Sequence, residues 1–434
     1  MKKLIFLALT LALAIPTFAT TFAGGGNGTD EAPTPIEGVN YKMQRSYPGI
    51  IHNMSDIENM RKIVKEADRN SKAYQAYLNL KEMDFAKSNY SPRILNPKFC
   101  VGKANVIARA SDKDKDWINK WEYDFYAMAL NALMFAITED SAHAKKTVQL
   151  LNLYTDRVIT TGTGKGTPLG VGINMINMIY AVDMIQSLAP ETFKKGEYKK
   201  VCKWLVDVGV CPETEGVFFK TPAYTNGNWG AVVLMSYMGL AVLLEDDERY
   251  AKAIDQYLYS STLRDNGTLL HYIDDNGQCQ EAGRDAAHAQ LGVYGLNVVA
   301  EIAWKCGTDL YSAYDNRLMK GFEYLAKFNM GNDDVPYKKW QDVTVAKKYC
   351  KWGVISQINR GDWRDIYEMP YNHYVNRMGL TMPYVEELLG TISPMKYPNP
   401  ANRTAAPTVT NPEKSIRQDD HFGFGALMFM NDAK

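Results

Sequence analysis

The chain has 434 residues, with 49 basic and 49 acidic side chains, six histidines and six cysteines. Charge neutrality excludes bulk attraction to nucleic acid or an anionic membrane surface, so an anionic partner would need a local basic pocket. Cys100, Cys202, Cys211, Cys279, Cys306 and Cys350 are dispersed and form no CxxC pair. That spacing argues against structural zinc and leaves open either one or two disulfides or buried free thiols.

Residues 1–23 combine Lys2 and Lys3, an apolar run and small residues at Ala19 and Ala23, the pattern of a cleaved secretory signal peptide. No cysteine near the cleavage region offers a lipoprotein anchor, so a periplasmic or secreted protein is expected. Loss of Lys2 and Lys3 leaves 47 basic against 49 acidic residues. Residues 24–36 have linker composition. From 37 to 434 the chain reads as one helical domain, expected to be monomeric. No later apolar run reads as long and uninterrupted enough for a membrane span.

Ser55-Asp56-Ile57-Glu58 reads as a capping box, followed by apolar residues at helical spacing. Two kinds of helix then alternate. Those over 123–137, 173–188, 229–244 and 289–304 are apolar nearly all round and must be surrounded by protein. Those over 144–159, 197–208, 247–260 and 311–328 have a charged face. Buried helices recur every 50 to 60 residues without a visible sequence repeat. The simplest packing is an all-α ring of helical hairpins, an (α/α) toroid or incomplete barrel with apolar helices inside; a plain bundle is the alternative.

Asp274-Asp275-Asn276-Gly277 marks a hairpin turn between 268–273 and 278–280. Residues 331–370 lack helical period and read as an excursion over the toroid face. The tail beyond Pro394 ends in HFGFGALMFM, which should pack back onto the body.

Four segments carry candidate chemistry. Asn226-Gly227-Asn228-Trp229-Gly230 opens a buried helix and reads as a cap with a core ring, or as an amide donor and a sugar-stacking ring. The run QCQEAGRDAAHAQLG, 278–292, gathers Gln280, Glu281, Arg284, Asp285 and His288 before an apolar helix. A surface ion network is the plain alternative there, but the apolar continuation disfavours a solvated face. Histidine is the side chain whose ordinary pKa lies nearest neutrality. Tyr371-Asn372-His373-Tyr374 combines rings and polar tips that suit a carbohydrate, or else starts a helix after Pro370. Asn359-Arg360-Gly361-Asp362-Trp363-Arg364 adds two cations and a ring, against the reading of a surface loop. No HExxH, Walker A or GxSxG motif is present.

In this order, YPGII with His52, NGNWG, QEAGRDAAHAQLG and YNHYVNR resemble a polysaccharide lyase of the alginate-lyase-like (α/α)-toroid superfamily, of the exported Bacteroidetes type. The resemblance implies β-elimination at a uronic acid, without metal or cofactor, on an anionic polysaccharide. Such chemistry must neutralise the C6 carboxylate, remove the C5 proton and protonate the departing O4. By resemblance Asn228 with Arg284 binds the carboxylate, and His288 with Tyr294 moves the protons. Tyr224, Tyr272, Tyr371 and Tyr374 are alternatives to Tyr294, which lies about 120° around the helix from His288. Trp229, Gln280, Glu281, Tyr371, Asn372, His373 and Arg364 are expected to contact substrate. The chain departs from the family pattern in having Trp229 after Asn228, and Ala287-His288 where a tyrosine often sits. A glycoside hydrolase would need a second carboxylate, from Asp362 or Glu368. A non-catalytic glycan-binding protein is the remaining alternative.

Overall fold

A computed structural model describes residues 38–102, 104–108, 116–162, 164, 166–218, 227–258, 268–339, 352–394 and 420–430. The expected signal peptide and linker lie outside them. In chain order the helices are α1 (Met54–Glu66), α2 (Lys72–Glu82), α3 (Glu122–Thr138), α4 (Ser141–Arg157), α5 (Thr167–Leu188) and α6 (Glu197–Trp204). Then come α7 (Cys211–Glu213), α8 (Gly227–Leu244), α9 (Asp247–Leu258), α10 (Leu269–Tyr272), α11 (Ala286–Lys305) and α12 (Ala313–Asn329). Three short helices close the list: α13 (Glu368–Tyr371), α14 (Pro383–Ile392) and α15 (Gly425–Phe429). Two-residue strands, Val106–Ile107 and Thr160–Thr161, pair in parallel.

The eight alternating helices read from hydropathy are all present. The apolar set, α3, α5, α8 and α11, packs side by side in sequence order, and α4, α6, α9 and α12 lie against it. This is an (α/α) toroid. Backbones approach closely where side chains are absent: a Cβ on Gly172 would sit 2.7 Å from the Val233 nitrogen, and one on Gly295 2.8 Å from the Ala231 carbonyl carbon. Glycine there lets α5 and α11 pack directly on the α8 backbone. Helices α5 and α8 do reach the length and hydropathy of a membrane span, contrary to the sequence expectation, but their residues are buried between neighbouring helices.

Each inner helix returns through an outer partner, so the inner helices run the same way and their starts share one rim. The N-terminal strand of chain ties down the opposite rim. Gln44 N–H donates to the Cys306 carbonyl at 2.9 Å, Arg45 pairs with Asp183, and Lys305 Nζ lies 2.6 Å from Asp56. The tail packs back onto the body as expected. Phe422 N–H donates to Tyr294 Oη and its carbonyl accepts from Tyr126 Oη, each at 2.9 Å, while Tyr180 meets its ring edge-on. Phe422 thus sits between inner helices α3, α5 and α11, while α15 packs against α1, α2 and α13.

Two local readings are corrected. The cap of α1 is Asn53, whose side chain and Asp56 exchange bonds with each other's N–H groups; Asn53 supplies the preferred cap oxygen one residue before the helix, so Ser55 falls inside it. Before the 274–277 turn, 269–272 forms a helical turn instead of a strand, and only Ile273 and Cys279 bridge. Five cysteines, all but Cys350, are free among the described residues.

Where the tail docks, Gly425 N–H donates to Asp365, and Glu368 accepts from Ser393 Oγ at 2.8 Å. Burial, and after it the Glu368 charge, push the Asp365 carboxyl well above its ordinary range. A raised folded-state value contributes stability that is complete below the unfolded value and is lost as pH rises through the folded one. Asp365→Asn keeps an acceptor for Gly425 and removes the charge. Its melting temperature should exceed the parent's at neutral pH, and the two curves should converge near about pH 4, the unfolded carboxyl value. Melting curves across that range check this; an unchanged gap would rule it out.

Candidate active site

The turn 278–285 spans the starts of α8 and α11 and satisfies the N–H groups that a helix start leaves open. Gly227 N–H donates to Gln280 Oε1 at 2.7 Å and Asn228 N–H to Glu281 Oε2 at 3.1 Å. Glu281 is wholly buried. Its Oε1 also accepts from Asn228 Nδ2 at 3.2 Å and Arg284 Nη1 at 2.8 Å, and its Oε2 from Tyr272 Oη at 3.2 Å. Burial raises the Glu281 carboxyl above its ordinary value, and the Arg284 and His288 charges only partly oppose that.

Tyr272 fills a slot that two glycines leave open. A Cβ on Gly227 would lie 2.4 Å from Tyr272 Cδ2, and one on Gly292 2.0 Å from its hydroxyl. No side chain fits at either place, which ties the GN and QLG motifs to one tyrosine.

Asp285 caps α11 by accepting His288 N–H at 2.7 Å, and both its oxygens approach His288 Nδ1, at 2.8 and 2.7 Å. Burial pushes the Asp285 carboxyl up, but the bonds and charges of His288 and Arg284 outweigh it and hold the group below its ordinary value. With Nδ1 engaged, Nε2 is the nitrogen left to act on a ligand. The side chains of His288 and Arg284 are 33% and 30% exposed, so the cation and the imidazole face outward from a floor of buried carboxylates. The excursion borders this floor: Ser356 N–H donates to the Ala282 carbonyl, and Ala286 N–H to that of Ile358.

The structure brings together Asn228, Gln280, Glu281, Arg284 and His288; half-buried Trp229 follows Asn228 in the first turn of α8. Asn228 is fully buried, so its amide meets Glu281 instead of solvent. Tyr224 and Asn226 lie outside the described residues.

Other expected residues are placed elsewhere. Tyr294 faces the bore, buried, with its hydroxyl bonded to Phe422 N–H. The six residues after His288 turn it away from the rim. Arg364 is buried, with Nε and Nη2 on Asp420 at 3.0 and 2.5 Å and Nη1 on the Ala287 carbonyl at 2.5 Å, so it has no face for substrate. Tyr371, Asn372 and His373 sit at the far rim. His373 stacks on Tyr311 at 3.7 Å and meets Trp304 at 4.7 Å, near the last turn of the 20-residue α11, whose first turn carries His288. Such a helix spans about 30 Å. Burial lowers His373 to about 4, as it does His52, which is also buried on Tyr180 and Phe429. Tyr374 is buried with its hydroxyl on the Tyr311 carbonyl.

Sequence reasoning underrated Asp285 and Tyr272. An aspartate three residues before a helix-start histidine was the available signal for Asp285. Tyr272 stood only among the alternatives to Tyr294, and nothing local marked Asp420.

The family model described as alginate lyase matches residues 64–335, more than half of the chain and all of the rim cluster. The chain belongs to the alginate lyase family. As a member it is a polysaccharide lyase. Solved structures share the fold at low identity. An apo histidine-to-alanine variant of alginate lyase A1-III matches with TM-score 0.60 and 15% identity, over 90% of this chain and 98% of that one. The same enzyme from Sphingomonas species A1 gives 0.55 and 15%, over 79% and 91%. An alginate lyase from Bacteroides ovatus gives 0.51 and 15%, over 78% and 97%. No curated protein matches the chain by sequence.

Asp285 makes two separable contacts, one to His288 N–H as the cap of α11 and one to His288 Nδ1. Asp285→Asn keeps a cap oxygen but not the anionic bond to Nδ1, so lyase rate should fall while the melting temperature holds. Asp285→Ala should lose both, with about 0.5–2 kcal/mol of stability gone with the cap. Paired rate and melting measurements check this; equal rates in parent and Asp285→Asn would exclude the tether.

Proposed function

We propose that the chain is exported and cleaves alginate, or a related uronic-acid polymer, by β-elimination, with His288 moving the proton and Arg284 meeting the substrate carboxylate. The observation that carries this reading is the partly exposed His288, held through Nδ1 by Asp285, four residues after the partly exposed Arg284 of the preceding turn. Family membership supplies the reaction class. A structure of the A1-III variant is a complex with a tetrasaccharide, which supports an oligosaccharide-sized ligand on this fold. The leader-like residues 1–23 support export to the periplasm or beyond.

Arg284 withdraws charge from the C6 carboxylate, which acidifies the C5 hydrogen. Asn228 acts behind it by fixing Glu281, on which Arg284 rests. His288 Nε2 takes the C5 proton, the C4–C5 double bond forms, and the C4–O4 bond breaks. The departing O4 needs a proton. Of the alternative tyrosines, Tyr224 lies outside the described residues, Tyr272, Tyr294 and Tyr374 are buried on other partners, and Tyr371 lies at the far rim. The imidazolium formed at His288 is itself the acid when H5 and O4 share one side of the sugar ring. Half-buried Trp229, in the first turn of α8, offers a ring for stacking on a sugar.

The hydrolase alternative gains no support. Glu281 and Asp285 share one turn, Glu368 is buried on Ser393, and Asp362 pairs with Asn359 at the surface.

Two outcomes are expected. His288→Ala should lower the rate of unsaturated product, read by ultraviolet absorbance on alginate, by about a hundred- to ten-thousandfold. Undiminished product would remove His288 from the mechanism. Linkages whose H5 and O4 lie on the same side should be cut faster than those where they are opposed. Initial rates on polymers of each linkage compare them, and a reversed preference would require a separate acid.

A further inference from the structure

The backbone at His288 is held more firmly than an ordinary helix turn. In the peptide unit joining Ala287 to His288, the N–H donates to Asp285 Oδ1 at 2.7 Å and the carbonyl accepts from Arg364 Nη1 at 2.5 Å. The next carbonyl, that of His288, accepts from Tyr272 Oη at 3.2 Å. Both peptide planes that meet at the His288 Cα are thus gripped by side chains from outside α11. Gln290 extends the grip, with Nε2 on the Ala286 and Asp362 carbonyls and Oε1 on Arg364 N–H.

Helix formation does not require the Arg364 contact. A carbonyl in the first turn already has the N–H four residues on as its donor. A cation at a helix start opposes the helix dipole, and a buried guanidinium loses its hydration. Asp420 makes that placement tolerable through a two-pronged pair with Arg364, in a geometry that suits both groups. Burial works against an ionised Asp420, yet Arg364 and His421 hold it far below its ordinary value. His421 in turn accepts Asp365 N–H at 3.3 Å. A chain of contacts therefore runs from the tail in the bore, through Asp420 and Arg364, to the peptide that carries His288.

We propose that Arg364 and Asp420 are positioning residues for His288, which makes the buried C-terminal segment 420–430 a working part of the active site. This rests on His288 as the proton-transfer residue. A misplacement of a reacting group by about 1 Å can lower a rate a hundredfold, so a clamp on the histidine backbone acts on kcat more than on binding.

The test uses the full chain with Asp420→Asn, Arg364→Lys and His288→Ala, assayed on alginate well below each melting temperature. Lysine keeps the charge but cannot reach Asp420 and the Ala287 carbonyl together. Both clamp variants should lose about ten- to a hundredfold in kcat with KM within about twofold of the parent. If Asp420→Asn does not fold, Asp420→Glu replaces it, keeping the charge at a shifted distance, and a fall in kcat is again expected. Folded variants with a lower melting temperature but parental kcat would overturn the proposal, as would a change confined to KM. A His288→Ala enzyme with parental rate would instead overturn the reading of His288 itself, so the two failures are distinguishable.

Discussion

The Glu281 carboxylate, buried where the starts of α8 and α11 meet, is the contact on which the site depends. It takes donors from the Asn228 backbone and amide, from Arg284 and from Tyr272, so three stretches of chain converge on two oxygens. A buried ionised group left without one partner typically destabilises a protein by about 3–5 kcal/mol, which makes this convergence strongly specified. Gly227 and Gly292 belong to the same constraint, because Tyr272 reaches Glu281 only through the space they leave. Arg284 and His288 inherit their positions from it.

The far end of α11 shows the same residue types in another role. Glu301 is buried there with both Arg377 nitrogens at 2.9 and 2.8 Å, Tyr311 Oη at 2.9 Å and Lys305 at 3.3 Å. Burial alone would raise its carboxyl, but Lys305 and Arg377 bring it down to about 2. That network is saturated and lies under stacked rings, so it locks the first helix and the 372–377 turn to the ring. The near rim keeps a cation and an imidazole partly open to solvent. Exposure and unspent bonding capacity separate a site from a lock, and composition reports neither.

The tail resolves a packing problem common to helical rings. Interiors are close-packed, and a ring of four apolar helices leaves a bore that must be filled. Phe422 enters it among Tyr126, Tyr180 and Tyr294, which explains why Tyr294 is spent on the Phe422 backbone.

Hydropathy alone determined the helices, their alternation and the toroid, because a helix apolar on every side has few places to go. It also located the rim cluster, since Glu281, Arg284, Asp285 and His288 crowd the start of an apolar helix. Local spacing reached no further. Tyr294, Arg364 and the 371–373 segment have suitable chemistry, but direction around a helix, burial under the tail and the end of the ring they occupy are properties of packing between distant segments. Asp420 carried no sequence signal because its partner is 56 positions away. The sequence named the functional groups at the start of α11; the tertiary structure decided which of the remaining polar residues stand beside them and which merely hold the ring closed.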